Sequence, residues 1–462
     1  MTSVAARDKT ARLGILGGGP AGLSTALYLQ QQGYTNLTVL EKSGAVGGKA
    51  LTVDIDDGDG TVKNYELGAE YITYTYDHIW ALVELLGEKT EDAAAIEIIN
   101  RAGATPRFVQ PTAIAPWYEV ITASLKYLWH GYANIDQIVN PSNVGVASNP
   151  LLSMRTSEFI RTYGLESLAG FFLVKQFGYG TFYTFPVINL YRTVQPRMML
   201  RILGGQIPIV KHLFKRPIAA MAVDGTQGLF KKLAAYLDAR SDTPVVHVNK
   251  EVTRIEPTDD GTVTLTVNDS ETHTFDALIV AIPPNLLLEL MDEQDLSEGQ
   301  RELFPKFQFH PYYVGTFETL DQEESPLPKA YFNNIWPDKQ GDKEEPEPVQ
   351  FTKRWDDTNI VARGYNWNYA DDFPRGDTAR IEEVFKTFMQ ARMNVSKFRL
   401  LDEDKYWPTY HPHVTMEDLQ AGFYDTFDRL QGERNFFYVG SAISFESMEE
   451  TVAYCKQLVE TH

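Results

Sequence analysis

Leu13-Gly14-Ile15-Leu16-Gly17-Gly18-Gly19-Pro20-Ala21-Gly22 carries the strongest fold signal in the chain. Its apolar run ends at Gly17 and reads as a short, buried parallel strand. The turn Gly17-x-Gly19-x-x-Gly22 opens an amphipathic stretch with Leu23, Ala26, Leu27 and Leu29. A second apolar run, Thr38-Val39-Leu40, then ends at Glu41. Strand, glycine turn, helix, strand and acid in that order make a βαβ unit with a dinucleotide fingerprint. Each residue has a physical task. Gly17 permits the tight turn, Gly19 lets backbone approach a pyrophosphate, and Gly22 lets helix and strand pack closely. Pro20 and Ala21 begin the helix, whose N-terminal N–H groups favour negative charge. Glu41, with Lys42 beside it, is expected to accept hydrogen bonds from a ribose. Its carboxylate would repel a 2′-phosphate, which disfavours NADP.

The residues after the acid narrow the ligand. Gly47-Gly48-Lys49 comes next, and a polar hairpin leads to Glu66-Leu67-Gly68-Ala69-Glu70-Tyr71. On these residues the chain resembles the FAD-dependent amine oxidase and phytoene desaturase superfamily. The resemblance implies that Gly48 and Lys49 wrap the pyrophosphate and ribityl chain, and that Gly68, Ala69 and Glu70 pass the isoalloxazine ring. Lys49 stands where arginine is usual, which keeps the charge without the bidentate fork. An NAD enzyme does not need this second glycine pair, so FAD is the expected cofactor. Cys455 is the only cysteine, so a CxxC redox pair is excluded.

The composition bounds the rest. A chain of 462 residues suits two or three domains. Hydrophobic content of 43% with 12% aromatic predicts a large core and aromatic-lined cavities. A net charge of −20 argues against a nucleic-acid partner, whose phosphates it would repel. A single cysteine fits a reducing compartment, Met1 to Arg12 has no apolar signal core, and no apolar run is long enough to span a membrane. The expected location is cytoplasmic, and the expected partner a small apolar substrate. The sequence leaves the oligomeric state open. The basic amphipathic stretch Met198 to Ala220 allows peripheral membrane contact, although Gly204-Gly205 and Pro208 interrupt its period and favour an ordinary substrate-domain helix.

The expected fold class is α/β: a Rossmann-type FAD-binding domain, a doubly wound sheet, with an interleaved α+β substrate domain and a helical insertion. The FAD-binding segments are expected at 1–88, 221–290 and 406–462. A helical substrate or cap insertion is expected at 89–220 and a substrate-domain sheet block at 291–405. Asp54 to Gly60 fails the calcium-loop pattern and reads as a tight turn between strands. Lys339 to Pro348 reads as a solvated loop. His411-Pro412-His413 offers two imidazoles with no third ligand nearby in sequence, so a structural role in a loop is expected and no metal.

Asp224-Gly225-Thr226-Gln227-Gly228-Leu229 resembles the superfamily segment that starts a helix beneath the sheet. Pro244 to Ile255 reads as one strand or two, and the resemblance places the backbone of Val252 against the adenine. Near the end, a strand closing on Gly440-Ser441 and a helix started by Phe445 to Ala453, Met448 among them, resemble the segment that meets the ribityl chain and the flavin pyrimidine edge. Ser441 stands where an acid is usual.

The choice of chemistry rests on a finer resemblance. The first 90 residues, Phe177-Gly178-Tyr179-Gly180, Asp224 to Gln227 and the tail from Tyr406 to Leu458 look like flavin-dependent polyenoic fatty acid double-bond isomerases. That resemblance implies hydride transfer from an allylic carbon to the flavin and back to another carbon, in an apolar channel walled by rings. It puts Phe177 and Tyr179 in the cavity wall and leaves the chemistry to the flavin. Near Glu97-Ile98-Ile99-Asn100 the basic residue is Arg101, and Glu97 sits where a cation would hold a carboxylate. A neutral polyene, terpenoid or polyketide is therefore an alternative to a fatty acid. An oxidase or desaturase delivering electrons to dioxygen is the rival enzyme, with Tyr406, Trp407 and Tyr454 as candidate rings beside the flavin. A catalytically idle flavin-binding protein is the rival from another class.

Overall fold

A computed structural model describes residues 4, 7–56, 60–93, 97–100, 107–109, 115–173, 179, 185–205, 216–320, 330–333, 348–355, 358–366, 377–393, 395 and 397–461. Its organising sheet has five parallel strands in the order 246–247, 37–40, 13–16, 277–280, 436–438. In chain order this is 3-2-1-4-5. The order reverses between Leu13–Leu16 and Ala277–Val280, so the crevice beyond their carboxyl ends is where a dinucleotide belongs.

Leu13–Leu16 is buried along its whole length, as a strand covered on both faces must be. Gly14 and Ile15 point to opposite faces. A side chain at Gly14 would strike the Phe275 ring at 2.6 Å, so the antiparallel meander 252–257, 263–267, 271–275 lies against that face. On the other face Ile15 meets the helix Pro20–Gln31 at Gly22. That helix packs against Thr226–Asp238 and Met448–Thr461. Pro244 to Ile255 forms two strands, Val246–His247 and Val252–Pro257, because Asn249 adopts a left-handed backbone between them.

The second layer is a seven-stranded sheet in the order 398–407, 312–319, 360–366, 348–352, 330–333, 97–100, 107–109. The helix Thr378–Arg392 covers it and makes a separate core, in which Ile381, Phe385, Phe388 and Met389 meet Phe317, Phe351 and Val361. The insertion expected to be helical from residue 89 thus begins with strands. Thr90–Asp92 pairs with Ala219–Ala222, while Glu97–Asn100 and Arg107–Val109 extend the substrate sheet. Helices dominate only from Trp117.

Between them, strands 52–56 and 62–66 pair as a hairpin, and residues 57–59 of the turn expected in Asp54 to Gly60 lie outside the described residues. Residues 206–215 and 339–347, parts of the basic stretch and of the solvated loop, lie outside the described residues. Among the described residues no helix is long and apolar enough to cross a membrane.

Candidate active site

Two glycine loops face each other across the switch point. Gly17 turns with φ +108° while its amide donates to the Leu40 carbonyl at 2.9 Å. Gly19 caps the following helix with extended backbone and no side chain, and Pro20 occupies the first turn. A Cβ at Gly22 would lie 1.9 Å from the Gly17 carbonyl oxygen, so only glycine allows this helix to sit on its strand as it does. Gly47 and Gly48, both with positive φ, bring the second loop up. The Gly47 amide donates to the Gly18 carbonyl at 3.0 Å, and a Cβ at Gly19 would stand 3.6 Å from Gly48 Cα. The result is a slot bare of side chains at a helix N-terminus with no acid in its first turn. Such a slot suits a pyrophosphate. Opposite Ala21, Gly440 closes it with φ +109°, its would-be Cβ 3.6 Å from the Ala21 methyl.

Glu41 is buried and already oriented. Its two oxygens accept from the Gly18 and Ser43 amides, each at 2.8 Å. Lys42 beside it is exposed. The Lys250 amide donates to the Glu41 carbonyl at 2.8 Å, which brings the start of the Val252 strand beside Glu41.

Lys49 and Ser441 have partners that the sequence did not suggest. The Lys49 ammonium lies 2.6 Å from Glu446 Oε2 and 2.8 Å from the Thr409 carbonyl, so it locks the closing segment to the second glycine loop. Glu446 Oε2 also accepts from the His411 amide at 2.9 Å and the Ser441 hydroxyl at 3.1 Å. One carboxylate oxygen thus ties Lys49, Ser441 and the backbone at His411 together. Met448 is buried at the start of its helix, where the Glu450 amide donates to the Ser447 hydroxyl at 3.2 Å. Burial pushes the Glu450 carboxyl up to about 7.

Gly68 and Ala69 run beside residues 49–51. The Ala69 amide donates to the Lys49 carbonyl at 2.9 Å, and a Cβ at Gly68 would meet that carbonyl at 1.9 Å. Glu70 turns toward the substrate sheet, accepting from Gln350 at 2.7 Å and from Thr352 at 3.4 Å. Burial, and after it the neighbouring Glu66, push its carboxyl up to about 8. Glu66 is itself pushed up to about 7 by burial, although it accepts from the Thr226 amide and Thr52 and faces Arg354 at 3.3 Å. At neutral pH this buried corner therefore holds at least one protonated carboxyl.

Tyr179 belongs to a column of rings. It stacks on Phe185 (centroids 6.0 Å, 14°) and on Tyr410 (6.1 Å, 7°), and Tyr410 stacks on Tyr312 (5.0 Å, 28°). Phe445 and His411 tilt against the Tyr179 ring at 5.0 and 5.1 Å, and its hydroxyl donates to the Glu446 carbonyl at 2.8 Å. Phe177 lies outside the described residues, as does Arg101. Of the other proposed rings, Trp407 packs in the cluster that holds Tyr312 and Tyr410. Trp407 donates its indole N–H to the Leu67 carbonyl, Tyr406 packs against the second core, and the buried Tyr454 hydroxyl accepts from Gln431.

Two further features had no local signal. Arg192 is fully buried and makes four hydrogen bonds, to Asn143 Oδ1 (2.6 Å) and the carbonyls of Ser444 (3.0 Å), Asn140 (3.1 Å) and Ser142 (2.9 Å). It fastens the helical insertion to the segment that closes the cofactor site. The second feature is a trio of imidazoles, in which His310 joins His411 and His413.

The comparisons agree with this geometry. The model of the flavin containing amine oxidoreductase family matches residues 20–452. An FAD-dependent oxidoreductase, oblC of Cochliobolus heterostrophus, is 22% identical over 93% of this chain and 86% of its own length. Beta-cyclopiazonate dehydrogenase of Aspergillus oryzae is 25% identical over 94% and 90%. The crystal structure of the CLA-producing fatty acid isomerase from P. acnes superposes with a TM-score of 0.79 and 25% identity, covering 98% of this chain and 99% of that one. A putrescine oxidase, at 15% identity and TM-score 0.66, shares the fold. With the glycine slot and the oriented acid in place, the conclusion is that this chain belongs to the flavin containing amine oxidoreductase family and is an FAD-dependent enzyme.

Proposed function

We propose that the chain is a double-bond isomerase acting on a long, apolar, polyunsaturated substrate, fatty-acid-like or a neutral polyene. The observation that carries this reading is the ring column Phe185–Tyr179–Tyr410–Tyr312, seated on the Glu446 segment of the cofactor site. Bound FAD supplies a hydride acceptor that can give the hydride back, which moves a double bond without net oxidation.

The residues of the chain do the rest. Stacked ring faces offer negative charge density to a carbon that turns positive as hydride leaves. Burial holds the Tyr179 and Tyr410 phenols well above their usual range, so neither acts as a base near neutral pH. The Tyr179 proton is held on the Glu446 carbonyl. The Glu70 carboxyl, protonated below about pH 8, adds no competing negative charge. The column is backed by Phe445 and His411. The isomerase of similar structure supports the same chemistry. The buried Cys455, in no disulfide, fits a reducing compartment, in keeping with a cytoplasmic location.

An oxidase or desaturase is the second reading, favoured by relatives named as a dehydrogenase and a desaturase. Anaerobic mixing of the yellow protein with polyunsaturated lipids separates the two. Isomerisation gives conjugated-diene absorbance with the flavin colour intact. Flavin bleached until air is admitted would overturn the isomerase reading in favour of the oxidase.

A further inference from the structure

We infer that His310, His411 and His413 bind a divalent first-row metal ion of the nitrogen-preferring kind, with Zn²⁺ as the reference case. The site is assembled by chain pairing. The Gln308 amide donates to the His413 carbonyl at 2.7 Å, the His413 amide returns the bond to Gln308 at 2.9 Å, and the His310 amide donates to the Tyr410 carbonyl at 2.9 Å. The antiparallel bridge Gln308–His413 sets residue 310 opposite residue 411, and the left-handed bend at His411 brings its ring beside those of His310 and His413. An imidazole from one segment thus meets two from a segment a hundred residues later.

Their rings touch pairwise, with centroids 4.0 Å apart for His310–His413, 5.0 Å for His411–His413 and 5.2 Å for His310–His411. One ring nitrogen from each lies within 4.8 Å of the others, and the Nδ1 atoms of His310 and His411 are 3.0 Å apart. A shared proton can hold that one pair, but a third imidazole has no part in it.

His413 is prepared in the way metal-binding histidines are. Its Nδ1–H donates to the His411 carbonyl at 2.8 Å, which fixes the tautomer and presents Nε2 as the lone pair. His411 is held at φ +46°, a left-handed backbone uncommon for residues other than glycine, with its amide on Glu446. Zinc–nitrogen bonds of 2.0–2.1 Å put ligand nitrogens ~3.3 Å apart in a tetrahedral set. The close pair must open by a few tenths of an ångström and the widest pair must close by ~1.5 Å, which ring rotation supplies. Three neutral imidazoles suit zinc, copper or nickel and exclude magnesium and calcium, and they leave one coordination position for solvent or a small anion.

The consequence is mechanical. The ion would bolt the start of the strand Tyr312–Thr319 to the loop carrying Thr409 and Tyr410. Two members of the ring column, Tyr312 and Tyr410, would then be fixed from behind. Binding is read without any turnover assay, so the test is independent of the isomerase reading.

The flavin-loaded full chain is treated with a chelator, dialysed against Zn²⁺ and analysed for metal by mass spectrometry, alongside calorimetric titration and melting. About one ion per chain and a rise in melting temperature are expected. The variants His413→Gln and His310→Gln, with flavin content as the check on folding, should bind at least ~100-fold more weakly and lose the rise. Wild-type protein that is fully flavin-loaded and takes up no zinc overturns the inference, as do flavin-retaining variants that bind as tightly as wild type. If both variants lose flavin, Cu²⁺-loaded wild type decides. Nitrogen hyperfine splitting from imidazoles in its paramagnetic resonance spectrum supports the site, and its absence overturns it.

Discussion

Replacing Gly22 by alanine tests how the glycine turn sets the cofactor slot. The added methyl carbon would stand 1.9 Å from the Gly17 carbonyl oxygen and 3.2 Å from Ile15 Cγ2. A carbon resting against a carbonyl oxygen sits at about 3.3 Å or more, so one of the two must move by ~1.4 Å. Neither is a free side-chain end. The Gly17 amide is bonded to Leu40 in the central sheet, and the helix Pro20–Gln31 is packed between Thr226–Asp238 and Met448–Thr461. Overpacking against such an anchored group falls at the upper end of the usual 1–3 kcal/mol, about 3 kcal/mol. Taking the nucleotide domain as the cooperative unit, melting should fall by roughly 6–10 °C.

Gly19→Ala is the contrasting case. Its methyl meets nothing nearer than Gly48 Cα at 3.6 Å, on extended backbone open to any residue. Folding should change by less than about 0.5 kcal/mol, yet the methyl stands in the slot, so FAD should bind at least ~10-fold more weakly. Flavin-stripped protein is melted and then titrated with FAD by fluorescence quenching. A stripped Gly22→Ala protein that melts with wild type, or a Gly19→Ala protein with wild-type FAD affinity, would show this steric account to be wrong.

Three other predictions draw on the same structure. Glu70 has a folded-state value of about 8, raised above the ordinary 4.5 of a free glutamate, so its stabilising contribution is complete below about pH 4.5 and is lost as pH rises through 8. Thermal melts of wild type should therefore lose on the order of 4 kcal/mol between pH 5 and 9 on account of Glu70, while Glu70→Gln should show a flatter profile; equal slopes would rule out this role for Glu70. Tyr179→Leu should lower kcat about 10-fold through loss of the ring face, whereas Tyr179→Phe, which keeps the ring, should stay near wild type; steady-state rates on an accepted polyene decide. Arg192→Met leaves the carbonyls of Asn140 and Ser142 without this donor, while Ser444 keeps the Asn143 amide, and should cost about 3 kcal/mol, read as a lower melting temperature and faster proteolysis of the insertion.

The nucleotide half is legible from the residues alone. Its strands, the turn at Gly17, Gly19 and Gly22, and the acid at Glu41 all lie within one short βαβ unit, where each residue's task follows from its neighbours. The partners that meet across long loops emerge only from the folded chain. Lys49 and Ser441 both find Glu446, and Glu70 turns to Gln350 on a distant strand. His310 reaches His411 and His413 through a backbone bridge that no spacing announces. The expected helical block opened with strands at 97–100 because a sheet edge elsewhere in the chain was there to pair with them. Local pattern records how a segment folds on itself, whereas a site is made by whichever segments the packed core holds side by side.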